Sequence, residues 1–346
     1  MSLAVLSVAY PLARVSEDSA GGAEQVLATL DRALVAAGHR SIVVAPEGSR
    51  VAGALEAVLH AAGVLDEAAK ARAQAANREA VARVLARERV DLVHLHGIDF
   101  DRYLPPPGPP ALATLHLPPG WYPAEALRPS RPRTWLNCVS AAQHAACPPS
   151  PRLVEPIPNG VPVSRLAGRH AKRDFALFLG RICPEKGVHL ALRAAHRAGV
   201  PLLVAGELYP YAAHRDYFEA EVRPLLDARR RFVGPVGFAR KRRLLTAARC
   251  LLVPSLAAET SSLVVREAAA CGTAVVAFPN GAIAEAVVEG RSGFLVPDVE
   301  AMAAAIPRAG AIDPEGCRAL AQERFDEAAM VERYLALYAR LAGGGA

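Results

Sequence analysis

The chain has 346 residues, 52% hydrophobic residues and a formal net charge of +6, which suits about two globular domains of ordinary size. No apolar run reaches the roughly 18 residues that a membrane span requires, and the basic clusters lack interleaved aromatic residues, which disfavours nucleic acid as a partner. The N-terminus enters a strand-like run without a basic leader, and the six cysteines form no CxxC pair. We therefore expect a cytoplasmic protein with reduced, buried cysteines.

The first half of the chain alternates short apolar runs with helical patterns, as parallel α/β sheets do. We predict strands at residues 3–8, 41–45, 90–95, 111–115 and 134–139. Helices are predicted to end near residue 37, to span about 66–89, and to start at 140. This part of the chain is therefore expected to form one doubly wound α/β domain.

Gly21 and Gly22 lie between the first predicted strand and the first predicted helix. Glycines let the backbone approach a ligand closely, and the amides of a helix N-terminus attract anions. The loop therefore predicts a phosphate or sugar cradle, although a plain turn explains it equally well. The G-x-G-x-x-G fingerprint is absent, which disfavours a dinucleotide-dependent oxidoreductase.

Three histidines stand at the ends of two predicted strands. Strand alternation puts His94 and His96 on one face, and His116 closes the strand at 111–115. Three imidazoles could ligate zinc. They could equally satisfy backbone groups at the strand ends, so both interpretations stay open at this point.

The second half repeats the α/β pattern, with predicted strands at 175–179, 202–205, 231–233, 250–253, 274–278 and 294–296 and a last helix at 326–341. Each of the first four strands ends near a small or loop-forming residue, such as Gly206, as the close approach of a ligand requires. Arg181 and Lys186 follow the strand at 175–179 within the sequence G-R-x-x-x-x-K-G. Two cations at a strand end can neutralise a diphosphate without a metal ion.

Two carboxylates follow the strand at 250–253, with Glu259 in a loop and Glu267 inside the next predicted helix. Ser261 and Ser262 are natural N-caps, so the first-turn amides near Leu263 and Val264 are expected to face an anion. Carboxylates beside an anion site usually accept hydrogen bonds from ligand hydroxyls. Phosphate and hydroxyls together suggest a sugar nucleotide, whereas two solvated glutamates on an amphipathic helix are the simpler alternative.

The order of these motifs resembles the retaining glycosyltransferases of family four, the "glycosyl transferases group 1" type. The resemblance rests on Glu-x7-Glu at 259–267, the Arg/Lys pair at 181–186, the glycine loop, the Thr-Leu-His segment at 114–116 and the Pro-Asn-Gly-Val turn at 158–161. It departs at Ser261-Ser262, where the family often has Phe-Gly. The resemblance implies the GT-B fold, in which two doubly wound Rossmann-like domains face a central cleft. The acceptor-side domain would span 1–158 with a returning helix at 326–342, and the nucleotide-sugar domain would span 159–325.

The resemblance also implies residue roles. Glu259 would meet hydroxyls of the donor sugar, Glu267 would meet the ribose, and His116, Arg181, Lys186 and Glu259 would carry catalysis. Donor contacts would come from Gly21, Gly22, Arg181, Lys186, Gly206, Glu259, Ser261, Ser262, Leu263, Val264 and Glu267. On the acceptor side we place His96 together with Trp121 and Tyr122, which lie in a long irregular segment of the kind that often carries recognition.

The resulting hypothesis is a retaining transfer of a sugar from a UDP- or GDP-sugar to an acceptor hydroxyl, with no metal and no other cofactor. The acceptor could be a glycan, a lipid-linked molecule or a small molecule, and peripheral membrane contact stays open. Two alternatives remain: a nucleotide-sugar epimerase or hydrolase on the same fold, and a non-catalytic partner subunit that binds a nucleotide sugar.

Overall fold

The computed structural model describes residues 2–59 and 65–344. The chain divides into two compact units, the first formed by residues 1–159 with 328–346 and the second by 160–327. The boundaries expected from the sequence lie at 158/159 and 325/326. Within the described residues, no helix has both the length and the hydropathy needed to cross a membrane.

The first unit contains one sheet, whose strands are β1 (Ala4–Val8), β2 (Arg40–Pro46), β3 (Ala54–Val58), β4 (Leu92–Leu95), β5 (Ala111–Leu115), β6 (Thr134–Cys138) and β7 (Leu153–Val154). All neighbouring strands are parallel, in the spatial order β3-β2-β1-β4-β5-β6-β7. Strands β4, β5 and β6 are buried along their whole length. Burial on both faces explains their continuous apolar sequences.

The helices of the first unit are α1 (Gly22–Ala36), α2 (Glu67–Arg87) and α3 (Ala141–Ala146), with single 3-10 turns at Phe100–Arg102 and Pro119–Trp121. Side-chain caps start two of the helices: Asp66 accepts the amide of Ala69 ahead of α2, and Ser140 accepts the amide of Gln143 ahead of α3. Each cap satisfies an amide that has no acceptor within its helix.

The second unit contains a six-stranded sheet formed by β8 (Ala176–Leu179), β9 (Leu202–Ala205), β10 (Arg230–Phe232), β11 (Cys250–Val253), β12 (Ala274–Ala277) and β13 (Gly293–Leu295). Its strands are also all parallel, in the order β10-β9-β8-β11-β12-β13. The helices of this unit are α4 (Val163–Leu166), α5 (Val188–Arg197), α6 (Ala212–Tyr217), α7 (Phe238–Ala247), α8 (Leu263–Ala270), α9 (Ile283–Ala286), α10 (Val299–Ala309) and α11 (Pro314–Arg324). A π-turn at Phe218–Val222 and 3-10 turns at Pro184–Lys186 and Arg223–Leu225 complete it.

The last helix, α12 (Glu327–Ala342), belongs almost entirely to the first unit. Its buried face carries Tyr334 and Tyr338, neither of which is exposed to solvent. The Tyr334 hydroxyl donates to the Asn137 side-chain oxygen at 2.8 Å, and the Tyr338 hydroxyl lies 2.8 Å from Nδ1 of His94. Because both tyrosines reach polar groups of β4 and β6, the helix is fixed by hydrogen bonds as well as by apolar packing.

The strand order of both sheets reverses beside the first strand of each unit. In the first unit β1 lies between β2 and β4, and in the second unit β8 lies between β9 and β11. Open α/β sheets bind ligands outside the carboxyl ends of their strands at this point of reversal. The loops that follow β1, β4, β8 and β11 are therefore the places to look for a site, and they carry most of the residues predicted from the sequence.

Candidate functional site

Lys186 and Glu259 form an ion pair at the reversal point of the second unit. The Lys186 ammonium lies 2.5 Å from Oε1 of Glu259, and the Ser255 hydroxyl donates to the same oxygen at 2.5 Å. Burial by itself raises the pKa of the Glu259 carboxyl, but the charge and hydrogen bond of Lys186, the Ser255 hydroxyl and the charge of Arg181 together bring that pKa below its usual value. The predicted cation and carboxylate are therefore brought together, with Glu259 ionised.

Backbone contacts hold the two loops that carry this pair against each other. The Leu256 amide donates to the carbonyl of Glu185 at 2.8 Å. Gly187 has a φ of 66°, and a Cβ there would lie 2.2 Å from the carbonyl oxygen of Pro254. Lys186 consequently belongs to a 3-10 turn that ends at a left-handed glycine, whereas the sequence predicts that a helix opens at 185–187; helix α5 begins at Val188.

Ser261 and Ser262 precede α8 in the predicted position but do not cap it through their side chains. Ser262 is the residue before the helix, with a left-handed φ of 51°, and its hydroxyl accepts no helix amide. Both serines are buried, and neither hydroxyl has a hydrogen-bond partner among the residues that the structure describes. Glycine is favoured at a left-handed φ, which fits the Gly that the resembled family often has there.

The first-turn amides of α8, near Leu263 and Val264, have no acceptor within the helix, as in every helix, and the Ser262 side chain does not supply one. Two unsatisfied hydroxyls lie beside them. Arg266 supports this turn, because its Nε donates to the Ser261 carbonyl at 3.2 Å, and burial lowers the pKa of its guanidinium to about 10. The sequence offers no signal for this role of Arg266, because an arginine within an apolar helix is not distinctive by itself.

Glu267 is 2% exposed and is ion-paired with Lys241 of α7. The Lys241 ammonium also lies 5.6 Å from the centre of the Phe238 ring. For the basic run at 240–243 the sequence predicts a solvated face or salt-bridge partners; Lys241 is a salt-bridge partner, and it is buried, with 8% exposed. A lone lysine within a run of arginines is the only sequence signal of its different environment.

Gly206 follows β9 with a φ of 149°, and a Cβ there would lie 1.7 Å from the carbonyl oxygen of Gly180. The close approach of the two loops after β8 and β9 therefore requires glycine at this position. This packing explains the residue without a ligand, and its predicted contact with the donor stays a prediction.

His94, His96 and His116 form one cluster at the ends of β4 and β5, in which His94 and His96 are buried and His116 is partly buried. Nδ1 of His96 lies 3.0 Å from Nε2 of His116, and the rings of His94 and His96 are 3.9 Å apart. Burial lowers the pKa of His116 to about 3 and the pKa values of His94 and His96 well below their usual value. The cluster is therefore neutral at pH 7.

The hydrogen bonds of His94 argue against zinc at this cluster, and the expected absence of a metal stays a prediction. Both ring nitrogens of His94 are engaged, Nδ1 with the Tyr338 hydroxyl at 2.8 Å and Nε2 with the Thr114 hydroxyl at 2.7 Å. An imidazole that is hydrogen-bonded at both nitrogens would have to give up a hydroxyl partner before it could ligate a cation. His96 keeps a buried Nε2 that has no partner among the described residues, and its predicted acceptor role stays a prediction.

Trp121 and Tyr122 are adjacent in sequence but lie in different environments. Trp121 is 43% exposed, as a contact residue for an acceptor would be. Tyr122 is 6% exposed, and its hydroxyl accepts the amides of His116 at 3.0 Å and Leu117 at 3.2 Å. The prediction that Tyr122 contacts an acceptor is therefore corrected: its ring is buried, and its hydroxyl satisfies the backbone just beyond β5.

Gly21 precedes α1 in an extended conformation, and Gly22 is the first residue of that helix. A Cβ at Gly21 would lie 1.9 Å from Oε2 of Glu24. The carboxylate of Glu24 thus rests against the glycine loop at the helix N-terminus, where the helix dipole favours negative charge. The glycines are where the sequence predicts them, and their contact with a donor phosphate stays a prediction.

Two family models match the chain in succession. "Glycosyltransferase Family 4" matches residues 20–165, and "Glycosyl transferases group 1" matches residues 173–309. A curated relative, the phosphatidyl-myo-inositol mannosyltransferase of Mycobacterium tuberculosis, is 30% identical over 213 residues, which are 55% of this chain and 55% of that protein. The chain thus matches about half the length of that relative.

Solved structures match over nearly the whole chain. AviGT4, a glycosyltransferase involved in avilamycin A biosynthesis, is 28% identical with a TM-score of 0.74 and 99% coverage of both chains. Sucrose-phosphate synthase from Thermosynechococcus elongatus, at 21% identity, has a TM-score of 0.81 with coverage of 99% of this chain and 100% of that one. The two α/β domains are those of GT-B glycosyltransferases, and the chain belongs to the group 1, family-four glycosyltransferases.

Proposed function

We propose that this protein transfers a sugar from a nucleoside-diphosphate donor to an acceptor hydroxyl with retention of the anomeric configuration. The observation that carries the proposal is the arrangement after β8 and β11. Lys186 pairs with an ionised Glu259, and the N-terminus of α8 follows with two unsatisfied serine hydroxyls. A cation, hydroxyl groups and the amides of a helix N-terminus bind phosphates, while carboxylates accept hydrogen bonds from sugar hydroxyls.

In this proposal the second unit binds the donor. Lys186 and Arg181 stabilise the negative charge that develops on the departing diphosphate, so the transfer needs no metal ion. Lys186 is shared between Glu259 and the phosphate, and Glu259 in turn accepts a hydrogen bond from the donor sugar. Glu267, held by Lys241, accepts from the ribose. UDP- and GDP-sugars are the proposed donors.

The neutral histidine cluster is proposed to face the reacting sugar through His116. With a pKa lowered to about 3 by burial, His116 acts as a neutral hydrogen-bonding group at pH 7 and not as a cation. The acceptor attacks from the face that the diphosphate leaves, and a donor phosphate oxygen takes the acceptor proton. We propose no covalent sugar–enzyme intermediate.

The acceptor is proposed to be a hydroxyl of a glycan, a lipid-linked molecule or a small polyol. The M. tuberculosis relative is named for phosphatidyl-myo-inositol, so inositol-bearing acceptors are the first to test. A reducing, cytoplasmic setting is proposed because the six cysteines are free in the structure.

The experiment screens UDP- and GDP-sugars by thermal shift and then incubates the stabilising donor with a panel of acceptors. Mass spectrometry detects the product, and NMR coupling constants assign its anomeric configuration. An α-product from an α-donor supports the proposal, and an inverted product contradicts it.

Donor incubated alone separates the first alternative. Free or epimerised sugar formed without an acceptor, at the rate seen with one, would indicate a hydrolase or an epimerase. Calorimetry separates the second alternative: a protein that binds the donor but yields no product with any acceptor behaves as a binding subunit. The Lys186–Glu259 pair favours a catalytic role over the binding subunit, because it is placed to stabilise a charged leaving group. A hydrolase would expel the same group, so the incubation without acceptor decides between hydrolase and transferase.

A further inference from the structure

A cysteine, a glutamate and a histidine converge beside the proposed diphosphate site but take no part in it. The Cys183 sulfur, a carboxylate oxygen of Glu185 and a ring nitrogen of His214 all lie within 4.8 Å of one another. They are the one set of three or more His, Cys, Asp or Glu side chains that meets this geometry within residues 2–59 and 65–344. The set offers one sulfur, one oxygen and one nitrogen atom as ligands.

Two atoms of this cluster are buried without a hydrogen-bond partner in the described part of the chain. These are Oε2 of Glu185 and Nδ1 of His214. A buried carboxylate oxygen and a buried imidazole nitrogen without partners cost free energy. A bound cation would satisfy both at once.

The fold places these side chains by bringing two loops together. Cys183 and Glu185 lie in the loop after β8, whereas His214 lies on α6, which follows β9. Strands β8 and β9 are neighbours, and the Ile182 amide donates to the carbonyl of Glu207 at 2.9 Å. The Tyr211 ring stands edge-on to the imidazole of His214 at 5.1 Å. The cluster therefore joins the loop after β8 to α6, two segments that are separated in the chain by α5 and β9.

We propose that Cys183, Glu185 and His214 bind a zinc ion that ties the loop after β8 to α6. Zinc accepts sulfur, nitrogen and oxygen ligands together, commonly in tetrahedral geometry. With bonds of about 2.0–2.3 Å, ligand atoms on one ion lie about 3.5 Å apart, so atoms that lie within 4.8 Å of one another must approach by at most about 1.3 Å. A water molecule completes the coordination.

Charge favours the divalent ion. A thiolate and a carboxylate together balance the two positive charges of zinc, so the neighbouring guanidinium of Arg181 meets a neutral complex. Hard cations such as Mg²⁺ prefer oxygen ligands and are disfavoured by the sulfur.

Zinc at this place is proposed to hold a loop and not to bear the leaving diphosphate. Glu185 is adjacent to Lys186. Its carbonyl accepts a hydrogen bond from the amide of Leu256, which lies in the loop that carries Glu259. The ion would therefore stiffen the segment that presents Lys186. This role lies outside the chemical step, and chelated protein is expected to unfold at a lower temperature.

The test loads the full-length protein with Zn²⁺, removes weakly bound metal, and counts the retained zinc by atomic emission. Wild type is expected to keep one zinc per chain, and competition with a chelator is expected to show affinity reduced by more than about 100-fold in Cys183→Ala and in His214→Ala. Two matched variants of the same unit serve as controls: Cys317→Ala, another buried cysteine, and His170→Gln, an exposed histidine. Both are expected to bind zinc as wild type does.

Cobalt substitution identifies the ligands directly and does not depend on activity. Co²⁺-loaded wild type is expected to show a thiolate-to-metal charge-transfer band in the near ultraviolet, which disappears in Cys183→Ala; circular dichroism checks that each variant is folded. Failure of wild type to retain zinc overturns the proposal. So does equal zinc affinity in Cys183→Ala, or a cobalt spectrum without the thiolate band. None of these outcomes bears on sugar transfer, which is measured separately.

Discussion

Replacing Lys241 by methionine separates the structural role of the Lys241–Glu267 pair from its proposed role in binding ribose. Lys241 is 8% and Glu267 is 2% exposed, so solvent screens the pair very little. Removing one partner of a buried pair leaves an uncompensated charge and costs about 3–5 kcal/mol. Lys241→Met is therefore expected to destabilise the second unit by that amount. The double variant Lys241→Met/Glu267→Leu is expected to return to within about 1 kcal/mol of wild type, because it leaves no buried charge.

The assay has to report on the second unit. Both tryptophans of the chain, Trp121 and Trp135, lie in the first unit, so fluorescence would follow the wrong part of the molecule. Hydrogen exchange measured by mass spectrometry on the peptides of α7 and α8 gives local opening free energies. Denaturation followed by circular dichroism is the second measurement.

The double variant then tests function in a folded protein. A hydrogen bond to a charged group contributes about 1.5–3 kcal/mol, so losing the Glu267 carboxylate is expected to weaken donor binding by about 10- to 150-fold. A change below about 1 kcal/mol in the α7 and α8 peptides of Lys241→Met would refute the burial argument. Wild-type donor affinity in the folded double variant would show that Glu267 has a structural role alone.

Three further predictions concern the strained serine, the histidine cluster and the buried tyrosine. Because Ser262 has a φ of 51°, Ser262→Val is expected to destabilise the protein by about 1–3 kcal/mol, while Ser262→Gly stays within about 1 kcal/mol; denaturation midpoints of the two variants decide. The pKa of His116 is lowered to about 3, and the pKa values of His94 and His96 are lowered as well, so below about pH 6 the unfolded chain binds protons that the folded chain does not. Each of these histidines should reduce stability by about 1.4 kcal/mol per pH unit, and His116→Asn should remove one such share of the slope. Tyr122→Phe leaves two partly buried amides without their hydroxyl acceptor and is expected to cost about 1–3 kcal/mol. Trp121→Ala should leave stability unchanged and raise KM for the acceptor; a reversed pattern would contradict the assignment of their environments.

The strands at 111–115, 202–205 and 250–253 are predicted to the residue, because a buried parallel strand is a continuous apolar run with loop-forming residues after it. Strand β3 is absent from the predicted elements. It lies at the edge of its sheet with four of its five residues outside the core, so its sequence has no apolar run. Helices α10 and α11 are also absent from the predicted elements, although Asp298 and Asp313 cap them through their side chains.

Contacts between distant side chains depend on which loops the sheet order brings together. The sequence motifs single out Lys186 and Glu259 one at a time, but the ion pair joins residues 73 positions apart and follows from β8 lying beside β11. Lys241 with Glu267, and Cys183 with His214, are pairings of the same kind. Tyr122 shows the converse: a loop sequence predicts exposure, yet the side chain turns inward because two backbone amides need its hydroxyl.

The ion pair after β8 and β11 is the centre of the functional account, and sugar transfer by Lys186→Met tests it most directly. Lys70→Met, in the first unit, is the matched control. Because Lys186 is proposed to stabilise the departing diphosphate, kcat/KM should fall by at least about 100-fold in Lys186→Met and stay at the wild-type value in Lys70→Met. Wild-type turnover by folded Lys186→Met would contradict the account.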